Sequence, residues 1–405
     1  MTQPYATETL TPLPTKRSTP FDPPPALRDP DAFSAAELGP VRPILMAGGR
    51  RGWLVTGYEE ARTVLADPRF SADRSKADSP IRERPGDAQP TPPGMFISHD
   101  APDHTRYRKQ LTGLFTVRRM RALASRIEEY VDERLDAMEA AGGPTDLVAA
   151  FAMPVPSLVI CELLGVDYDD RADFQEWTAK LLNLDTPVAE IRDLWGRLDT
   201  FMLDLVRRKR ETPTDDILGG LIESDAAFTD EELSNVGKLL LIAGHETTAN
   251  MIGLSTFALL QHPDQLARLR REPELIPGAV EELLRYLSIV QFVAVRVALE
   301  DVELGGRLIP AGETVAMHLP EANRDPHQFE DPDTLDVTRE RVRHVSFGHG
   351  IHQCLGQQLA RTELVVGLGK LLERFPNLRL AVDPSEVPLR HDMVIYGVHR
   401  LPVAW

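Results

Sequence analysis

Residues 230–261 read DEELSNVGKLLLIAGHETTANMIGLSTFALLQ, and no other stretch limits the possible folds as strongly. The spacing predicts one continuous helix, roughly 45 Å long at 1.5 Å per residue. Its middle is apolar nearly all round, and a helix of that kind must be covered on every side. The chain therefore has to build a multilayered helical body around it. From about 103 to 280 the pattern is almost wholly helical, as in RALASRIEEYVDERLDAMEAAG, and a last long helix covers about 355–374. Strands are few. RPILMAGGRRGWLVTG reads as a hairpin across Gly48 and Gly49, followed by the helix YEEARTVLAD. After 290, VAVRVALEDVELGGRLIPAGETVAMH gives short strands with a turn at Gly305 and Gly306. No linker separates helical from strand regions. The expected fold is mainly α with small β-sheets, a single domain over 31–405. Before it, residues 1–30 carry eight prolines and should be extended. The polar, proline-rich stretch 76–98 is long for a loop in a compact chain, and loops of that length are commonly lids.

Composition removes several function classes. A net charge of −17 argues against nucleic acid as the main partner. With two cysteines, Cys161 and Cys354, neither a disulfide framework nor a four-cysteine cluster can form within the chain. That usage reads as cytosolic, and with no apolar leader at the start a cytoplasmic protein is expected. Apolar runs such as KLLLIAG and MIGLSTFALL stop well short of the ~18 residues a membrane span needs, so no membrane insertion is expected.

The chemistry concentrates at HVSFGHGIHQCLGQQLAR, residues 344–361, where His349, His352 and Cys354 fall within six positions. Cys354 sits where the last helix begins, and the unpaired N–H groups and partial positive charge of a helix N-terminus lower a thiol's pKa. Gly348, Gly350 and Gly356 let the backbone come close and take unusual conformations. Together they describe a thiolate pointing out of a tight loop, suited to ligating a metal axially. A zinc site on His349, His352 and Cys354 fits no usual spacing and lacks an evident fourth ligand. An iron–sulfur cluster fails for want of cysteines. Thiolate-ligated haem needs only one. Cys161, in SLVICELLGV, reads instead as a small buried hydrophobe.

At this point the chain resembles the cytochromes P-450. FGHGIHQCLG matches the haem signature Phe-Gly-x-Gly-x-His-x-Cys-x-Gly at Phe347, Gly348, Gly350, His352, Cys354 and Gly356. Other family motifs follow in order from about residue 50 to the C-terminus. The resemblance implies the P-450 fold, with the long central helix over a haem b (iron protoporphyrin IX) whose iron takes the Cys354 thiolate. It also implies that His104 and Arg108 in HDAPDHTRYRKQL, Arg296 and His352 bind the two propionates. Glu282 and Arg285 in EELLRY, with Arg339, match the family's Glu-x-x-Arg motif and its partner, a buried network supporting the haem loop.

Within the central helix, Ala243, Gly244, Glu246 and Thr247 match the motif Ala-Gly-x-(Asp/Glu)-Thr. By resemblance Thr247 hydrogen-bonds dioxygen and Glu246 helps relay protons from solvent, while His245 has no assigned role. A threonine hydroxyl here can also bond a carbonyl one turn back and open the helix beside Gly244. The implied activity is a monooxygenase of the soluble bacterial type, an actinobacterial secondary-metabolite or xenobiotic hydroxylase. It would take O2 and a bulky lipophilic substrate such as a macrolide, polyketide or sterol-like compound. Pocket walls would come from 76–98, the region near 170–200, the central helix, 289–294 and the turn near Ile395. The remaining length has no room for a flavin or nicotinamide module, so electrons would come from a ferredoxin and its reductase, with Arg118, Arg119, Arg121, Arg341 and Arg343 as docking candidates on a monomer. Two rival readings are a haem-thiolate sensor that never turns over and a peroxide-dependent oxidant.

Overall fold

The computed structural model describes residues 39–80, 89–114, 117–291, 294–340 and 343–405, and no side chain at 117, 118 or 120–122. The expected extended segment 1–30 and part of the loop 76–98 lie outside the described residues.

The central helix spans Asp230–Gln261, as its spacing predicts. It starts at a reciprocal cap: the Thr229 side chain accepts from the Glu232 amide, and the Glu232 side chain accepts from the Thr229 amide. Helices Pro154–Leu164, Val188–Glu211, Ile276–Leu287 and Gln357–Arg374 pack around it. Close approach is possible because Gly244 has no side chain; a Cβ there would meet Ile160 Cδ1 at 2.5 Å. Most of the helix is buried, as a helix apolar on all sides requires.

The strands form a smaller layer. A five-stranded sheet runs Val41–Leu45, Arg51–Val55, Thr314–Met317, Val295–Ala298, Phe70–Ser71 from edge to edge. Only its second and third strands pair in parallel. The first two are the expected hairpin, with Val41 opposite Val55. A second core forms over this sheet from Trp53, Val55, Tyr58, Val64 and Val315. Val302–Leu304 and Arg307–Ile309 make a separate hairpin, with positive φ at both Gly305 and Gly306. Among the described residues, no helix is long and apolar enough to cross a membrane.

Candidate active site

The cysteine loop is held from three directions. Cys354 N donates to Phe347 O at 2.8 Å and Gly348 N to Val345 O at 2.8 Å, which closes the loop on itself. Gly350 adopts φ +72°, and a Cβ there would lie 2.5 Å from Leu65 O, so the loop rests directly on the helix Tyr58–Ala66. From behind, Glu282 and Arg285 form a fully buried two-pronged ion pair, 2.7 Å at each contact. Arg339 Nε reaches Glu282 at 3.2 Å. Arg285 also donates to Asn323 O at 3.0 Å, and the Asn323 side chain accepts from Val345 N at 2.8 Å and donates to Ser346 Oγ at 2.9 Å. The network thus ends on the backbone of the cysteine loop.

Cys354 does not open the helix itself. It lies two residues before Gly356, the N-cap of Gln357–Arg374, after a 3-10 turn at Gly350–His352. The expectation of a lowered thiol pKa is not met. Burial, the largest influence, pushes the thiol up, against the Gly356 amide and the charges of Arg108 and Arg361. Yet the side chain has accessible surface. Both hold if the sulfur faces an enclosed space rather than bulk water. A bound metal cation would deprotonate such a thiol outright. Cys161 is a buried hydrophobe, its thiol pushed up to about 12 by burial.

His104, Arg108, Arg296 and His352 converge. The His104 and His352 rings stand 4.2 Å apart between centroids. His104 is buried, and neither of its ring nitrogens has a hydrogen-bond partner among the described residues. Arg296, on the strand Val295–Ala298, is buried with Nη1 on Val295 O, and Arg108 Nη2 donates to Gln353 O at 2.7 Å. Burial first, then the charge of Arg74, lowers Arg296 to about 10. Burial, then Arg296, His104 and Arg108, holds His352 down at about 3. Burial, then Arg108 and Arg296, lowers His104 as well. So many cationic and donor groups together, His104 and Arg296 buried and Arg108 and His352 half-buried, with hydrogen bonds unmet at His104, form a receptor for an anion. Two carboxylates beside a thiol ligand are what haem would present, and these residues fit it.

Across the central helix the turn 243–247 is open on one face. Ala243 is the exposed residue within the otherwise covered stretch 232–260, and Thr247, one turn on, is half-buried. Thr247 Oγ1 donates to Ala243 O at 2.8 Å. His245 Nδ1 lies 2.7 Å from Leu241 O, and Asn250 Nδ2 donates to Glu246 O at 2.7 Å. Three side chains thus compete with helix amides for carbonyls in two turns, which loosens the helix beside Gly244. Glu246 points elsewhere. It is buried, with Oε2 held by Arg390 Nη1 at 3.0 Å and Asn250 Nδ2 at 3.1 Å, while Oε1 has no partner among the described residues. Arg390 and Asn250 were not singled out by the sequence; a lone arginine in the apolar run PLRHDMVIYGV was the available signal. Glu363 was also missed: it is buried in the last helix, and burial raises its carboxyl well above the usual range. No group of three or more His, Cys, Asp or Glu side chains able to hold a metal ion exists among the described residues.

A family pattern described as cytochrome P450 matches residues 190–393. Cytochrome P450 105C1 of a Streptomyces species is 51% identical over 90% of this chain and 92% of its own. The chain belongs to the cytochrome P450 family. Pentalenic acid synthase of Streptomyces avermitilis is 46% identical, covering 97% of each chain. The crystal structure of CYP105P1 in complex with filipin I superposes with a TM-score of 0.90 at 45% identity, covering 98% of this chain and 99% of that one. The fold is the P450 fold, and the protein is a P450 monooxygenase with haem and a cysteine ligand as its cofactor.

The electron-entry candidates divide. Arg119 pairs with Asp215. Arg343 is exposed and, with Arg62, Glu281, His344 and His349, lines a cavity of about 260 Å³ beside the cysteine loop. Arg341 and the side chains of Arg118 and Arg121 lie outside the described residues.

Proposed function

We propose that this P450 oxidises a bulky lipophilic small molecule, such as a macrolide, polyketide or sterol-like compound, using O2 and electrons from a ferredoxin and its reductase in the cytoplasm. The observation that carries the site assignment is the convergence of His104, Arg108, Arg296 and His352, the first and third of them buried, beside the Cys354 thiol. In this reading Cys354 would ligate the haem iron, and the four cationic or donor side chains would hold the two propionates. Phe347, Gly348 and Gly356 shape the loop, and Ala243 and Gly244 face the cofactor from the central helix. When bound, the haem would supply activation of dioxygen, favoured by thiolate donation, with one oxygen atom entering a C–H bond and the other leaving as water at the expense of two electrons and two protons.

The protein's own share is protons and placement. The Thr247 hydroxyl orients protons over the open face of the central helix. Glu246 and Thr247 are neighbours, hence about 100° apart around the helix. The carboxylate reaches the Thr247 face only through bridging water in the loosened turn, with Oε1 as the atom that takes and gives the proton. Arg390 and Asn250 hold the other oxygen still. Substrate would be bounded by the helix Arg171–Leu182, the central helix, and the turn near Ile395, which bridges to Val290. An acidic ferredoxin would meet the exposed face near Arg62, Arg343 and Ile351, the last 52% exposed.

The test is turnover. A ligand screen watching the haem's spin-state change identifies binders, and each is then assayed with ferredoxin and reductase or with peroxide alone. Product with ferredoxin and O2 supports the monooxygenase reading. Product with peroxide alone, or binding without product under any condition, would establish a rival.

A further inference from the structure

His245 had no role from its motif, yet it is fully buried and both its ring nitrogens are engaged. Nδ1 lies 2.7 Å from Leu241 O, and a carbonyl only accepts, so Nδ1 carries a hydrogen. Nε2 lies 3.1 Å from Thr178 Oγ1, on the neighbouring helix Arg171–Leu182. The ring also meets Phe174 of that helix edge-on, 5.4 Å between centroids. Burial is the largest influence on the ring and lowers its pKa; Glu246 opposes this and Arg390 adds to it. A neutral ring accepts the Thr178 hydroxyl proton at Nε2. That hydroxyl has one proton and two further acceptors, Phe174 O at 2.8 Å and Gln175 O at 3.2 Å, so the bond to His245 exchanges with bonds inside its own helix.

The same helix reaches the oxygen-side turn by another route. Val394 N donates to Leu182 O at 2.9 Å and Leu184 N to Asp392 O at 2.7 Å, tying the helix's end to the hairpin whose base carries Arg390. Arg390 in turn holds Glu246. One helix is thus connected to two consecutive residues of the turn 243–247.

We propose that His245 is a positioning residue which, through Thr178, couples the placement of the helix Arg171–Leu182 to that of Ala243 and Thr247. This rests on the reading above, in which that helix bounds the substrate and the turn delivers protons. A ligand that pushes on the helix then sets the geometry of the turn, so pocket filling and proton delivery are matched.

The side chains lend themselves to a paired test. Asn at 245 keeps a group near the Nδ1 position but falls short of Thr178, whereas Gln reaches as far as Nε2. Val at 178 keeps the shape and removes the hydroxyl, whereas Ser keeps the hydroxyl. The probe is 4-phenylimidazole, whose nitrogen ligates haem iron and shifts its absorption band, titrated against the haem-loaded protein. Variants enter the comparison once their thiolate spectrum is normal. His245→Asn and Thr178→Val should each weaken probe binding about 3- to 10-fold, the range of one hydrogen bond. The double variant should be no weaker than the worse single, and His245→Gln and Thr178→Ser should stay near wild type. Losses that multiply in the double variant, or wild-type binding by Thr178→Val, would overturn the proposal. Product yield in Thr247→Ala is a separate readout. If that variant couples normally while the cycle stays non-additive, the proton-delivery reading fails and the strut survives. If the cycle is additive while Thr247→Ala uncouples, the strut fails and the proton reading survives.

Discussion

The two sides of the site are built in opposite ways. The cysteine loop is held by neighbours close in sequence, by a glycine that admits another backbone, and by a buried ion pair whose members sit one turn apart on a single helix. The turn 243–247 is a patch of polar residues in an apolar helix, and its conformation depends on side chains from Thr178 and Arg390, remote in the chain. A loop held by its own backbone, by the close approach of Leu65 and by a closed, buried ion pair can be rigid and general, whereas a turn held by single side chains from the elements around it can register what those elements do. In a P450 the first arrangement suits holding a cofactor and the second suits answering a substrate.

Disabling the ligand should have the largest effect. Cys354→Ser should abolish the thiolate signature of the reduced, CO-bound haem and all monooxygenation, while Cys161→Ser leaves both intact. The reverse pattern would move the ligand. Next in size is the support behind the loop. Glu282→Gln leaves the buried Arg285 without its anion and should cost about 3–5 kcal/mol, read as a lower unfolding midpoint with earlier haem loss. On the other side, Arg390→Gln removes charged hydrogen bonds to Glu246 and Asn250 and should cost about 1.5–3 kcal/mol. Unlike Glu282→Gln, it should keep the thiolate spectrum and reduce product per electron pair. If both variants lost haem equally, the contrast between the two sides would fail.

What the sequence revealed follows the same division. The bounds of Asp230–Gln261, the hairpin on Val41 and the six fixed positions around Cys354 were legible because each depends on period or spacing within one stretch. The propionate receptor was reachable only through resemblance, since His104 and His352 are far apart in sequence and touch only in the fold. Arg390 and Thr178 were missed because an ion pair or hydrogen bond between remote elements leaves no periodic mark, whereas Asn250 stands one turn from Glu246 on the same helix and its spacing was there to be read. The thiol's direction was misjudged because a helix N-terminus shows in sequence, whereas burial, which outweighs it, does not.

The smallest expected effect concerns acid. Burial raises the Glu281 carboxyl, but hydrogen bonds from His344 and Arg361 outweigh it and hold it at about 2, below the usual 4.5. A carboxyl lowered in the folded state contributes stability above about 4.5 and loses it as pH falls toward 2. The gap in unfolding midpoint between wild type and Glu281→Gln should therefore be widest near neutrality and narrow between pH 4.5 and 3. A gap independent of pH would show that the carboxylate charge is not what Arg361 and His344 recognise.

The central claim is that Thr247 places protons over the haem without ligating it. The direct measurement is product formed per reducing equivalent consumed, in wild type and Thr247→Ala, with ferredoxin, reductase and one substrate identified by its spin-state shift. Thr247→Ala should keep haem, thiolate spectrum and substrate binding, and go on consuming electrons, while its product yield drops sharply and peroxide or water takes its place. Equal yields in the two proteins would contradict the account and remove Thr247 from the mechanism.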